Sequence, residues 1–149
     1  MTALMRFLAL GLCLIAGPVA AAVHGGGGAG AAIVVDVSGV RDDRGVVRVD
    51  VCPRERFLKD GCPWHGFARS HAGVVSVRIE GVPPGDYAAQ GFQDANNNDR
   101  VDRGLFGIPK EGIGFSRDAP IRLSPPKWED AVFAHGAGEQ RITFGLRYW

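Results

Sequence analysis

Three stretches of this chain alternate apolar and polar residues with a period of two, and nothing else in the sequence constrains the fold as tightly. Val47, Val49 and Val51 oppose Arg48 and Asp50; Val75, Val77 and Ile79 oppose Ser76, Arg78 and Glu80. Ile142, Phe144, Leu146 and Tyr148 oppose Arg141, Thr143, Gly145 and Arg147. Successive side chains leave a strand on opposite faces, so this pattern marks half-buried β-strands. Ile33 to Val37 is a β-branched run broken only by Asp36, and Tyr87–Phe92, Ala119–Leu123 and Ala131–Ala134 read as weaker strands. No window shows helical periodicity of comparable length. The 22 Gly and 9 Pro among 149 residues also oppose long helices, because both destabilise helix interiors. The expected fold is all-β, a single antiparallel β-sandwich of about seven strands, transthyretin-like or immunoglobulin-like. Some helical turn is expected within Arg54 to Ala72, where Phe57, Leu58, Trp64 and Phe67 would cover one end of the sandwich.

The first residues read as an address. Arg6 precedes the apolar run Phe7 to Ile15, and Val19-Ala20-Ala21-Ala22 supplies small residues for cleavage near Ala21 or Ala22. That is the pattern of a secretory signal peptide, residues 1–22, and the run is far shorter than the ~20 residues of a membrane span. Cys13 does not read as a lipid-attachment site, because Leu12 is too large before it and the apolar run continues past it. Residues 23–32 form a Gly-rich leader, expected to be flexible. Residues 33–149 form one domain, with no transmembrane segment expected in the mature protein. Loss of Arg6 makes acidic and basic residues equal in number, so the one-sided field of a nucleic-acid binder is missing. The expected location is periplasmic or secreted.

In an oxidising compartment Cys52 and Cys62 are expected to form a disulfide. Closing so short a loop contributes about 2–3 kcal/mol in the chain-entropy model. The alternative, zinc held by both cysteines with His65 and His71, does not match the short ligand intervals of structural zinc sites.

Two segments are more specific than pattern. Gly81-Val82-Pro83-Pro84-Gly85-Asp86-Tyr87 reads as strand, turn and strand, with Pro presetting the turn; it resembles transthyretin-like and collagen-binding-B-like sandwiches. The second runs from Asp94-Ala95-Asn96-Asn97-Asn98-Asp99-Arg100-Val101-Asp102 through Gly107-Ile108-Pro109-Lys110-Glu111-Gly112 to Gly114-Phe115-Ser116. With Pro125 to Ala131 and the closing strand, these segments resemble domain of unknown function 2141, a family of exported bacterial proteins. The resemblance runs roughly from Ile33 to Tyr148 and implies a fold and a compartment but no reaction. Gln93 stands where the family often has His, and Asp99 where Gly is usual.

The stretch after Asp94 is the one constellation with chemistry in it. Asp94, Asn96, Asn98 and Asp102 occupy positions one, three, five and nine of a loop, with the Arg100 carbonyl at seven. Oxygen ligands at alternate positions are those of a calcium loop. The pattern departs from an EF-hand at positions six and twelve, Asp99 and Leu105, so Glu111 or water would have to complete the shell. Ca²⁺ is therefore the candidate cofactor, and a metal-free Asn/Asp turn is the alternative.

Ser116, Asp118 and His135 have the residue types of a hydrolase triad but lack a nucleophile elbow. Glu111 and Asp118 are a carboxylate pair of unknown separation. Trp128 and Trp149 fit either a sugar-stacking face or the sealing of the sandwich ends. No catalytic set is recognised. The expected function is a non-enzymatic binding or envelope-accessory module that uses its long loop on an envelope protein or glycan. A purely structural domain and an enzyme of unknown class are the alternatives. A binding module should expose a contiguous apolar patch near that loop.

Overall fold

The alternating segments build two facing β-layers. The structure, a computed structural model, describes residues 30–122 and 124–149. The expected signal segment and residues 23–29 of the leader lie outside the described residues. Among the described residues the eight strands are β1 (Ala31–Val40), β2 (Val46–Cys52), β3 (Trp64–Arg69), β4 (Gly73–Val82), β5 (Gly85–Asp94), β6 (Ile113–Phe115), β7 (Phe133–His135) and β8 (Gln140–Gly145). One sheet runs β4-β1-β8 and the other β3-β2-β5-β6, with β7 pairing the start of β5 on the same edge that β6 uses further along. All pairings are antiparallel except β1 with β8. The all-β sandwich is as expected, with one strand more than the estimate and one parallel pair.

The valines of the alternating segments meet between the layers. Val35, Val37, Val47, Val49, Val51, Val77 and Phe144 are buried in one cluster drawn from both sheets. Phe144 is the largest of them, and it fits because two strands lack side chains opposite it. A Cβ on Gly91 would come within 2.8 Å of the Phe144 ring, and one on Gly114 equally so. Removing that ring would cost about 3–5 kcal/mol.

A second cluster lies on the far side of the β5–β6 layer. Phe57, Ala88, Phe115, Ala119 and Ala131 are buried there, with Trp128 packed against them. Phe57 meets the rings of Phe115 and Trp128 edge-on at 5.9 and 5.7 Å. The turn that carries Phe57 is tied to the end of β2 by the Cys52–Cys62 disulfide. With both thiols bonded to each other, the zinc alternative falls. Trp128 seals this cluster, whereas Trp149 is 55% exposed.

The helical turn expected within residues 54–72 is present, the N–H groups of Arg56 and Phe57 both donating to the Pro53 carbonyl at 3.0 and 3.1 Å, but the rest of that segment needs correcting. Trp64–Arg69 is strand β3, where Trp64, Gly66 and Ala68 are half-buried while His65, Phe67 and Arg69 are exposed. Gly66 is small because the β4 backbone passes close by, where a Cβ would meet the Arg78 carbonyl, and with only Gly66 and Ala68 after Trp64 the inward face carries too little apolar signal to read as alternation. Phe67 covers nothing and is 70% exposed. The weak strand expected at Ala119 to Leu123 is also absent over its described residues: a 3-10 turn at Ser116–Asp118 precedes it, and Leu123 lies outside the described residues. His135 is buried, with its ring nitrogens against the Val82 carbonyl and Gln140 Oε1.

Candidate functional site

Strand β5 ends at Asp94, fully buried, and the chain does not rejoin a sheet until Ile113. Two buried carboxylates hold the excursion between them. Asp94 Oδ1 accepts the backbone N–H of Asn98 at 3.0 Å, and Oδ2 that of Asp99 at 2.8 Å. Glu111 Oε1 accepts the N–H of Ala95 at 3.0 Å, and Oε2 that of Asp102 at 3.1 Å. Backbone donors that would otherwise be unpaired under a folded loop are thus satisfied.

Asp102 completes the knot by accepting the side-chain amides of Asn96 at 2.8 Å and Asn98 at 2.9 Å. The Asn98 bond first, then that from Asn96, holds its carboxyl below the usual carboxylate range, and the charges of Arg100 and Lys110 act in the same sense. The backbone N–H of Arg100 donates to Asn98 Oδ1 at 3.1 Å. Hydrogen bonds thus link the six residues singled out for calcium, Arg100 through its N–H rather than through the carbonyl named as a ligand. As they stand, Asn96 and Asn98 offer Asp102 amide hydrogens rather than oxygens. Among the described residues, no group of three or more His, Cys, Asp or Glu side chains gathers as a metal site.

Asp99 has φ +62°. This is the left-handed region, which Gly enters freely and Asp tolerates. Arg48 Nη1 holds its carboxylate at 3.3 Å. Gln93 serves as a hub at the loop's base. Its Nε2 donates to Asp42 Oδ1 at 2.8 Å and to the carbonyls of Asp42 and Arg44. Its Oε1 accepts the Tyr148 hydroxyl.

The knot supports a hairpin that the sequence reading did not identify. The N–H of Lys110 donates to the Asp102 carbonyl at 2.8 Å, Arg103 bridges Pro109, and the N–H of Gly104 donates to the Ile108 carbonyl at 2.7 Å. Leu105–Gly107 form a 3-10 turn at the tip, and Arg103 Nη1 grips the Gly107 carbonyl at 3.0 Å. Leu105 is 83% exposed, Phe106 96% and Ile108 48%. Phe106 has φ +59° and ψ +19°, a left-handed conformation that costs a bulky residue about 1–3 kcal/mol. The fold thus holds an aromatic ring in water, in a conformation it does not favour. The signal was present in the sequence as three large apolar residues among Gly104, Gly107 and Pro109, outside any alternation and between Arg103 and Lys110. An open groove lined by Asp43, Val46, Phe67, Ala68 and Asn97 runs beside the loop.

The triad types are not assembled. Ser116 Oγ donates to the Ala131 carbonyl and accepts the N–H of Ala89; Asp118 accepts the N–H of Gly145. His135 is held by Val82 and Gln140. Glu111 and Asp118 both serve backbone donors rather than a shared cleft.

A family model described as an uncharacterised protein conserved in bacteria, domain of unknown function 2141, matches residues 35–143. The match runs from β1 into β8 and contains the whole knot and hairpin. No curated protein and no solved structure matches the chain.

Proposed function

The chain belongs to the bacterial family of domain of unknown function 2141, and from that premise we propose that it is a non-enzymatic docking module of the cell envelope. Residues 95–112 are its working part. One observation carries this reading: Leu105, Phe106 and Ile108 form a contiguous apolar tip, held rigid and exposed on a hairpin braced by buried carboxylates. Exposed apolar patches set apart from polar surroundings are interaction sites more often than accidents. A purely structural domain has no use for an aromatic ring kept in solvent. Export by the N-terminal segment fits the Cys52–Cys62 disulfide, a bond of oxidising compartments. Among the described residues, no helix is long and apolar enough to cross a membrane. Calcium enters this reading as a stiffener of the knot. The amides of Asn96 and Asn98 would turn their oxygens toward Asp102, and the ion would take the place of the amide hydrogens.

The test is retention. Wild type and a Leu105→Ser, Phe106→Ser double variant are exported in parallel, and each is followed into the envelope and soluble fractions. The variant is expected to shift into the soluble fraction, in calcium and in chelator alike. Identical partitioning of the two proteins would defeat the docking reading.

A further inference from the structure

We propose that the tip formed by Leu105, Phe106 and Ile108 inserts into the interface of an anionic phospholipid bilayer; this rests on the docking reading and names its partner. The chemistry is layered along the hairpin. Apolar side chains occupy the apex, Arg103 and Lys110 stand on its two arms, and no acidic residue lies between them in sequence. An apolar apex above a basic collar matches the order of a bilayer surface, with acyl chains inside and phosphates outside.

The nearby acids lie below that collar, at the base of the hairpin, and offset it only in part: Asp102 stays charged within reach of Arg100 and Lys110. Asp94 and Glu111 are buried against backbone N–H groups, and Asp102 is occupied by Asn96 and Asn98. Among the described residues, Arg100, Arg103 and Lys110 form no ion pair. The area argument points the same way. A stable protein–protein interface buries about 1,200–2,000 Å² in total, more than three side chains on one narrow hairpin supply. A bilayer needs no matching socket. It also relieves the exposure of Phe106 without any rearrangement of the hairpin.

The magnitudes make the proposal measurable. Burying a phenylalanine tightens partitioning roughly tenfold or more, and each basic residue near an anionic surface contributes roughly fivefold. Processed protein with its disulfide intact is sedimented with vesicles of phosphatidylcholine alone, or of equal parts phosphatidylcholine and phosphatidylglycerol. Every variant carries the same N-terminus, so any contribution from that segment cancels. Wild type is expected to bind the anionic vesicles and to release as salt rises. Phe106→Ser should lose about tenfold and Lys110→Gln about fivefold, both with unchanged thermal melting because these side chains are exposed. A Phe106→Trp reporter should shift to the blue and be quenched by brominated acyl chains in the anionic vesicles.

Vesicle binding that is absent, or equal in wild type and Phe106→Ser, overturns the lipid assignment. If envelope retention still depends on the tip, the partner is a protein. If Phe106 instead drives self-association without lipid, the partner is a second copy, its tip in the groove beside Phe67. Both outcomes overturn the bilayer and leave the docking reading standing. Loss of vesicle binding together with tip-independent retention overturns both.

Discussion

Tyr148 donates its hydroxyl to Gln93 Oε1 at 2.6 Å across a separation of 55 residues, fastening the end of the chain to the strand that launches the loop. Arg41 closes the contact: its backbone N–H reaches both Gln93 Oε1 and the Tyr148 oxygen, and its guanidinium lies 3.9 Å from the ring centroid. The loop's base is thereby held by three segments distant in sequence.

Tyr148→Phe is expected to cost about 0.5–1.5 kcal/mol, the net worth of one hydrogen bond. Thermal melting should fall by a few degrees at this size. Burial pushes the Tyr148 hydroxyl above the ordinary phenol range, and burial does the same to Tyr87. A phenol whose folded pKa is raised contributes stability that is complete below the unfolded value and lost as pH rises through the folded one. Phenolate absorbance should therefore lag behind that of denatured protein in the alkaline limb, and the lag should shrink in Tyr148→Phe. Superimposable titrations would contradict this.

Glu111→Ala should destabilise by about 1.5–3 kcal/mol, because it strands the N–H groups of Ala95 and Asp102 that the carboxylate accepts. The damage should be local. Amide exchange is expected to speed up across residues 95–112 while β1 and β2 stay protected; uniform acceleration would mean the carboxylate supports the whole sandwich instead.

Calcium should raise the melting temperature if it seats in the knot. At ten times its dissociation constant the gain is RT ln 11, about 1.4 kcal/mol or a few degrees. Asp94→Ala should abolish the rise, Glu111→Ala should weaken it because that carboxylate also holds the loop in place, and magnesium should do less because it demands a tighter octahedron. Equal melting in millimolar calcium and in chelator would leave the loop held by its hydrogen bonds alone.

Thiol titration of processed, denatured, unreduced protein should find no free thiol, since Cys52 and Cys62 are bonded. Reduction should cost about 2–3 kcal/mol. It should loosen the turn carrying Phe57 first, with the β5–β6 side of the molecule losing protection before the central core.

What the sequence determined by itself was local and periodic. Strands β2, β4 and β8 were legible because a strand with one buried face must alternate, and β1 because a run of β-branched residues marks a strand buried on both faces. The Asp94–Glu111 cluster was legible as a group because Asn and Asp recur at alternate loop positions. Strand β3 was hidden, because Gly66 on its inward face leaves room for the β4 backbone and only Ala68 follows it there, a requirement imposed by another strand. The exposure of Leu105, Phe106 and Ile108 was decided only in three dimensions. Apolar residues enter a core whenever the backbone can bring them there. Here the knot, the Arg103 grip on Gly107 and the left-handed Phe106 hold the tip away from it. The hub at Gln93 likewise depends on Arg41 and Tyr148 arriving from opposite ends of the chain. Periodicity records which face of an element is buried; it carries no record of which distant backbone will stand beside it.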